Sequence, residues 1–289
     1  MKLIRFLTGD KQEMCGLYEP ELPDQALVIR GDIFEDFEVT SKLAEIHSIL
    51  PPVFPCNILA LGLNYRKHAD ETNVSYPEIP IVFIKMTTSV VGHMSPILLP
   101  AAGPENVDYE AELAVVIGRK VKNIPPSEAM DCILGYTCAN DVSARDWQIE
   151  KQKKQWARGK SFDTFCPLGP YLVTRDEIPH PQNLRIRTIL NGNTVQDSNT
   201  SDMIFDIPAI ISDLSRSMTL MPGTVILTGT PEGVGFTRQP PLFLQDGDIV
   251  TIDIEKIGQL TNPVKREDNG ENVIHLGSRK VQKPLVLGD

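Results

Sequence analysis

Short apolar runs separated by turn-forming residues recur along most of this chain. Between Asn57 and about Val264 each run is long enough for a strand, whereas most are shorter than a typical helix. The segment ILNGNTVQ places Asn-Gly between two apolar runs, which predicts a β-hairpin. The strands predicted in this way are KLIRFL, ALVIR, NILALGL, PIVFIKM, PILLP, AELAVVIG, ILGYTCAND, YLVT, NLRIRTILNGNTVQ, TVILTG and DIVTIDIEKIG.

Helical periodicity is confined to a few segments. It appears in SKLAEIHSIL, in a segment starting at Ser143 where SARD supplies a capping residue and an acid three positions on, and in DIPAIISDLSRSM. This balance predicts an α+β, β-rich fold of the sandwich or roll type.

The proline-rich stretch LPPVFP, from Leu50 to Pro55, interrupts the pattern, because repeated proline continues neither a helix nor a central strand. We therefore predict a small N-terminal module over residues 1–55 and a main domain over 56–264. Residues 265–289 form a polar C-terminal tail to which the pattern assigns no role.

The chain is acidic, with 28 Lys and Arg against 38 Asp and Glu and a formal net charge of −10. This charge argues against nucleic-acid and membrane partners, since binding to polyanions needs a basic face. No apolar run is long enough to span a bilayer, and the start MKLIRFLTGDKQ resembles that of a mature protein, so we expect a cytoplasmic location. The five scattered cysteines predict reduced core residues rather than disulfides or a zinc site.

Two glutamates stand one residue apart in VDYEAELAVVIG, at the start of a strongly apolar strand. Alternate residues of a strand share a face, so Glu110 and Glu112 lie side by side, roughly 6–7 Å apart at their Cα atoms. Alone, such a pair is more often a pair of surface charges. Asp141, at the end of ILGYTCAND, adds a third carboxylate, although it also suits a turn or helix cap. Together the three would form an all-oxygen site for Mg²⁺ or Mn²⁺, with Ca²⁺ as an alternative.

His68 and Glu71 stand three residues apart in NYRKHADE, a spacing that puts both on one face of a helical turn. The carboxylate would then orient the imidazole and raise its basicity, which is typical of a general base. An incidental surface pair is the competing interpretation.

Other polar residues near Asp141 are candidates for contact with a ligand. Arg145 and Gln148 are three apart in ARDWQ, and both could equally be structural. Lys160 in RGKSF has a setting that can aim a desolvated ammonium at developing negative charge, or it is a plain surface lysine. In LTGTPEGVG, Gly229 and Thr230 offer a backbone amide and a hydroxyl to an anion, or form only a glycine-rich turn.

Five motifs in order carry a resemblance: GLNYRKHADE, DYEAELAVVIG, NDVSARDWQ, GKSFDTFCPLGP and LTGTPEGVG. The chain resembles the fumarylacetoacetate hydrolase family from about Asn57 to about Val264, and in DVSARDWQ, KQW and FDTFCPLGP it is most similar to the branch called fumarylacetoacetate hydrolase domain-containing protein 2. The resemblance implies a mixed β-sandwich roll with a separate N-terminal module, a homodimer, and metal ligation by Glu110, Glu112 and Asp141. It also implies that the His68–Glu71 pair lies on a lid segment and that Gly229 and Thr230 cradle a substrate carboxylate.

The implied reaction is enolisation of a small-molecule 2-oxo acid held as a chelate by the divalent ion. Lys160 and Gln148 would stabilise an oxyanion, while His68 with Glu71 would move a proton or activate water. We expect metal-dependent C–C hydrolysis of acylpyruvate-type 2,4-dioxo acids; the alternative is an oxaloacetate tautomerase or decarboxylase.

Two features depart from the family pattern, and one other class of function competes with the enzyme interpretation. Lys85-Met86 stands where many members have Lys-Pro, and His93 is an additional titratable group expected near the entrance of the site. A non-catalytic binding or scaffold protein on the same fold is the other class of function, but the intact ligand set and dyad argue against it.

Overall fold

Strands are the main element of the computed structural model, which describes residues 1–103 and 105–267. The strands are β1 (Lys2–Leu7), β2 (Glu13–Tyr18), β3 (Gln25–Gly31), β4 (Phe37–Glu45), β5 (Ser48–Leu50), β6 (Asn57–Gly62), β7 (Ile81–Lys85), β8 (Val90–Val91), β9 (Ile97–Leu99), β10 (Val107–Asp108), β11 (Ala111–Ile117), β12 (Ile133–Asn140), β13 (Ser143–Ala144), β14 (Cys166–Thr174), β15 (Arg185–Leu190), β16 (Asn193–Asn199), β17 (Thr224–Leu227), β18 (Ile249–Ile254) and β19 (Gly258–Arg266). The α-helices are α1 (Arg66–Glu71), α2 (Pro126–Ala129), α3 (Trp156–Gly159) and α4 (Ile207–Ser217). A π-helical turn covers Trp147–Lys151, and 3₁₀ turns cover Thr87–Ser89, Met130–Cys132, Arg175–Glu177, Thr200–Asp202 and Gly235–Thr237.

The described strands form one large sheet, a five-stranded sheet and a small pair. The large sheet runs β4-β3-β2-β1-β14-β12-β11-β17-β6-β7, with β5 also paired to β1 and β8 to β14. The second sheet runs β16-β15-β18-β19-β9, and β10 pairs with β13. The predicted β-rich sandwich is confirmed.

Apart from Glu112, strand β11 is apolar, because both of its faces are buried. Leu113 and Val115 pack into the core shared with Ile252 of the five-stranded sheet. Ala114 and Val116, on the opposite face, belong to a second core. The charged residues at the start of β11 therefore sit at the end of a strand enclosed on both sides.

Two local predictions are confirmed in detail. The ILNGNTVQ hairpin forms between β15 and β16, and Asn191 and Gly192 occupy its turn with φ of 50° and 80°. The segment around DIPAIISDLSRSM forms α4, where the Asp206 carboxylate caps the helix by accepting a hydrogen bond from the Ala209 N–H at 2.8 Å.

One predicted helix is wrong, and another begins later than predicted. SKLAEIHSIL forms the end of β4 and the short β5, whose pairing with β3 and β1 overrides the helical spacing. The helical segment predicted from Ser143 begins only at Arg145 and continues as the π-helical turn from Trp147, because Ser143 and Ala144 pair with β10 as β13.

The proline-rich stretch from residue 51 to 55 lies between β5 and β6, as its composition indicated. The N-terminal strands nevertheless continue the large sheet, since β1 pairs with β14. The module boundary near residue 55 stays a prediction. Of the predicted C-terminal tail, residues 268–289 lie outside the described residues.

All five cysteines are free, but only Cys132, Cys138 and Cys166 are buried. Cys56 is exposed and Cys15 half-buried, so the prediction of core positions is wrong for these two. Within residues 1–103 and 105–267, none of the helices has the length and apolar character needed to cross a membrane.

Candidate metal centre and active site

The pairing of β11 with β12 brings the three predicted carboxylate ligands together. Ala111 lies opposite Asn140, so the next pair outward is Glu110 and Asp141, joined by a hydrogen bond from the Asp141 N–H to the Glu110 carbonyl at 2.9 Å. One carboxylate oxygen from each of Glu110, Glu112 and Asp141 lies within 4.8 Å of the other two. The strand register therefore brings carboxylates about thirty residues apart in the chain into a single cluster.

Every buried Asp, Glu, Lys and Arg in the described residues belongs to this cluster. The carboxylates are Asp108, Glu110, Glu112 and Asp141, and the cations are Lys85, Arg145 and Lys160. With all groups ionised, four negative charges meet three positive ones, which leaves one negative charge in excess. A buried excess charge is costly unless a further cation neutralises it.

Lys160 bridges two of the three candidate ligands. Its ammonium donates to Glu110 Oε2 at 2.8 Å and to Asp141 Oδ2 at 2.6 Å. Burial alone would lower the pKa of Lys160, but the charges of Asp141 and Glu110 outweigh it and raise the pKa. An ammonium has three N–H donors, so one remains for a ligand.

Glu112 is the carboxylate that the protein leaves incompletely satisfied. Its Oε2 accepts a hydrogen bond from the Gly229 N–H at 2.6 Å, whereas its fully buried Oε1 has no hydrogen-bond partner among the described residues. Burial, and then the negative charges of Asp141 and Glu110, raise the pKa of Glu112 well above its ordinary value. An orphaned oxygen among carboxylates is the environment that a hard divalent cation would satisfy. The donor set therefore fits the predicted metal.

Arg145 anchors the opposite side of Glu110. Its guanidinium donates to Asp108 Oδ2 at 2.9 Å, to Glu110 Oε1 at 2.7 Å and to Gln148 Oε1 at 2.9 Å. Burial by itself would raise the pKa of Glu110, but Lys160 and Arg145 hold the pKa below its ordinary value. Arg145 was predicted to bind substrate; in the structure it also lines the cavity and holds the candidate ligand Glu110 in place.

Two members of the cluster were missed as site residues in the sequence. Lys85 was noted only as part of a departure from Lys-Pro, yet its buried ammonium donates to Asp141 Oδ1 at 2.5 Å and to the Lys160 carbonyl. The Asp108 carboxylate accepts hydrogen bonds from the Arg145 guanidinium and from the backbone N–H groups of Gly235 and Phe236. The available signal for Asp108 was its place two residues before Glu110.

The predicted dyad is assembled on α1. His68 Nδ1 lies 2.7 Å from Glu71 Oε1, and His68 is buried. Glu71 Oε2 accepts from the Gly233 N–H at 3.0 Å and from the Thr237 hydroxyl at 3.2 Å, which fixes the carboxylate. With Nδ1 engaged, Nε2 is the ring nitrogen left to meet a ligand.

A cavity of about 280 Å³ connects the dyad with the carboxylate cluster. It is lined by Leu61, Gly62, Leu63, His68, Thr72, Val74, Phe83, Glu110, Arg145, Gln148, Ile149, Lys154, Trp156, Lys160, Thr230 and Phe236. Since Gln148 Oε1 accepts from Arg145, its amide nitrogen is the group free to donate to a ligand. Gln148 lies in the π-helical turn, a rare element frequent at functional sites.

Thr230 and Gly229 have different surroundings. Gln196 donates through Nε2 to Thr230 Oγ1 at 2.9 Å, so the Thr230 hydroxyl keeps its proton for another acceptor, and Thr230 lines the cavity. The Gly229 N–H is taken by Glu112, and Gly229 does not line the cavity. Its predicted role in substrate binding stays a prediction, while its N–H supports a candidate metal ligand in the structure. Gly229 has φ of 94°, and an added Cβ would lie 2.7 Å from Asn64 Cβ.

His93 is not at the cavity. Its Nδ1 accepts a hydrogen bond from the Thr261 N–H of β19 at 3.1 Å, which ties it to the five-stranded sheet. The expectation that His93 lies near the entrance is wrong.

Comparison with known proteins agrees with this fold. The family model described as fumarylacetoacetate (FAA) hydrolase C-terminal matches residues 57–265. A protein of Xenopus laevis named as a mitochondrial oxaloacetate tautomerase is 47% identical over 257 residues, which cover 86% of this chain and 80% of that protein. A human protein with the same description is 48% identical over 221 residues, which cover 76% of this chain and 70% of its own.

Solved structures show the same architecture. The 5-carboxymethyl-2-hydroxymuconate delta-isomerase of Mycobacterium smegmatis matches with a TM-score of 0.81 and 41% identity, covering 92% of this chain and 100% of that one. A fumarylacetoacetate hydrolase from the psychrophile Exiguobacterium antarcticum matches with a TM-score of 0.79 and 34% identity, covering the same shares. The resemblance read from the motifs is confirmed.

Proposed function

Because the chain belongs to the fumarylacetoacetate hydrolase family, we propose that it is a divalent-metal-dependent oxaloacetate tautomerase, which interconverts the enol and keto forms of this 2-oxo acid. The observation that carries the proposal is the buried carboxylate triad whose Glu110 lines the same cavity as His68. The names of the curated relatives support oxaloacetate as the substrate. The hydrolysis of acylpyruvates expected from the sequence has less support, since these relatives carry the tautomerase name.

Glu110, Glu112 and Asp141 would hold the ion, and Mg²⁺ or Mn²⁺ suits their oxygen donors, with Ca²⁺ as the alternative. When bound, a divalent ion supplies Lewis acidity that makes the carbon beside the 2-oxo group more acidic. Lys85 and Lys160 hold the Asp141 carboxylate in place through their hydrogen bonds to its two oxygens. Arg145 does the same for Glu110.

Tautomerisation removes a proton from the enol oxygen and adds one to the neighbouring carbon. His68 is the cavity-lining group suited to carry such a proton, because Glu71 engages its Nδ1 and Nε2 is the ring nitrogen that remains for a ligand. The remaining N–H of Lys160 and the amide of Gln148 can donate to the oxygen that gains negative charge. No nucleophilic water is needed, unlike in C–C hydrolysis.

The experiment follows three substrates in parallel: loss of enol-oxaloacetate absorbance, cleavage of acetylpyruvate and cleavage of fumarylacetoacetate. Each assay contains Mg²⁺ or Mn²⁺ and is corrected for the rate with metal alone. The matched controls are chelator-treated protein and the His68→Ala variant. We expect rapid enzyme-dependent conversion of enol-oxaloacetate to its keto form, which both controls abolish or greatly reduce.

Cleavage of acetylpyruvate at a higher kcat/KM than the conversion of oxaloacetate would overturn the proposal and restore the hydrolase interpretation. Release of carbon dioxide that keeps pace with loss of the enol would indicate a decarboxylase instead. Binding of both substrates without turnover of either would favour the non-catalytic interpretation.

The homodimer, the cytoplasmic location and the lack of nucleic-acid or membrane partners stay predictions. Size-exclusion chromatography with light scattering tests the first. The curated relatives quoted above are named as mitochondrial, and that description belongs to them.

A further inference from the structure

Three arginine and lysine residues line the cavity, and protein carboxylates engage two of them. Arg145 is bound to Asp108 and Glu110, and Lys160 to Glu110 and Asp141. The third, Lys154, lines the same cavity and makes no ion pair with any carboxylate in the described ranges. Its charge is therefore the one available to a second anionic group on a ligand.

The backbone at Lys154 is held in an uncommon conformation. Lys153 and Lys154 have consecutive positive φ values of 50° and 65°, which cost energy for residues with a side chain. Two hydrogen bonds hold the turn: the Lys154 N–H donates to the Ile149 carbonyl at 3.0 Å and the Lys153 N–H to the Glu150 carbonyl at 3.1 Å. Such strain persists where surrounding structure enforces it, and it collects at ligand sites.

Trp156 closes the cavity beside Lys154. Its ring packs on Gly62, where an added Cβ would lie 2.1 Å from Trp156 Cζ3, and it meets Phe83 edge to face with ring centroids 5.7 Å apart. Gln155 between them is extended, with φ of −84° and ψ of 104°, and both flanking residues line the cavity. A rigid wall and a cation thus occur together, which suits a short ligand ending in a negative charge.

We propose that the Lys154 ammonium binds the second carboxylate of a four-carbon 2-oxo dicarboxylic acid and so selects dicarboxylates over 2-oxo monocarboxylic acids. This inference rests on the proposed function for the identity of the reacting 2-oxo acid end. The ion held by the carboxylate triad, together with Thr230, would bind the 2-oxo acid end of the ligand, whereas the Lys154 ammonium would bind the carboxylate at the opposite end. Loss of the charge should weaken dicarboxylate binding by about tenfold, the scale of one charge-assisted contact at a partly exposed site.

The experiment compares wild type, Lys154→Met, Lys154→Arg and the control Lys153→Met, all loaded with Mn²⁺. Lys153 is the matched control because it is the adjacent exposed lysine, also has a positive φ, and does not line the cavity. Dissociation constants are measured calorimetrically for oxaloacetate and for pyruvate, which has the same 2-oxo acid end without the second carboxylate. KM and kcat for enol-oxaloacetate are measured in parallel.

We expect Lys154→Met to weaken oxaloacetate about tenfold and to leave pyruvate unchanged, with Lys154→Arg recovering most of the loss and Lys153→Met having no effect. The inference is overturned if Lys154→Met keeps the preference for oxaloacetate over pyruvate, or if wild type shows none. If wild type prefers oxaloacetate through Lys154 but does not tautomerise it, the proposed function fails while this subsite stands. If tautomerisation is normal in Lys154→Met with unchanged KM, the subsite fails alone.

Discussion

Replacing Glu112 with glutamine should have opposite effects on the metal-free protein and on metal binding. The substitution keeps an oxygen that can accept the Gly229 N–H, but it replaces the orphaned Oε1 with an amide donor. That donor would lie among carboxylates, because one oxygen of Glu112 is within 4.8 Å of oxygens of Glu110 and Asp141. A repulsive contact in the metal-free state thereby becomes a favourable one.

The size of both effects follows from the separation of these charges. Two unit charges 4.8 Å apart interact by about 3.5 kcal/mol at an effective dielectric constant of ~20. Neighbouring cations and the raised pKa of Glu112 reduce the repulsion, so we expect the free energy of unfolding of metal-free protein to rise by about 1–2 kcal/mol. That corresponds to a rise in Tm of roughly 2–8 °C. Loss of one anionic ligand should weaken divalent-ion binding by about 10²–10³-fold.

The assay is thermal unfolding of chelator-treated protein, followed by calorimetric titration with Mn²⁺ and Mg²⁺. Glu128→Gln is the matched control, since Glu128 is exposed in α2 and is not one of the buried charged residues. A lower Tm for metal-free Glu112→Gln together with unchanged metal affinity would refute the assignment of Glu112 as a cation ligand.

Three further predictions concern groups around and away from the cluster. His68→Ala should lower kcat by roughly 10²–10⁴-fold with unchanged Mn²⁺ affinity, and a wild-type rate would remove His68 from proton transfer. Lys85→Met should lower the free energy of unfolding in urea by about 3–5 kcal/mol, because Asp141 Oδ1 loses a buried cationic partner, and a loss under about 1 kcal/mol would contradict that role. Burial lowers the pKa of His93 from 6.5, so the unfolded chain takes up a proton at a higher pH than the folded chain does. The neutral, buried His93 therefore stabilises the fold fully above pH 6.5, and this stabilisation is lost as the pH falls toward the lower folded pKa. His93→Gln should flatten the dependence of the urea-measured free energy of unfolding on pH below 6.5, and an identical slope in wild type and variant would exclude this role of His93.

Local patterns were informative where local physics decides the outcome. The Asn191–Gly192 turn and the Asp206 cap rest on contacts within a few residues, and both were predictable. SKLAEIHSIL had helical spacing but forms strands, because pairing with β3 and β1 lies outside any local window. The same limit applies to Ser143, which pairs with Asp108 of β10 and starts no helix.

The site shows the same division. The sequence by itself determined which carboxylates could meet a cation, since Glu110, Glu112 and Asp141 lie in motifs at strand ends, and it placed His68 and Glu71 on one helical face.

Only the tertiary structure decided how these charges are balanced. Lys85 reaches Asp141 across 56 positions and Asp108 reaches Arg145 across 37, and the Gly229 amide turned out to hold Glu112. The physical reason is that a buried charge requires a partner in space, and strand order and register supply that partner from any distance along the chain.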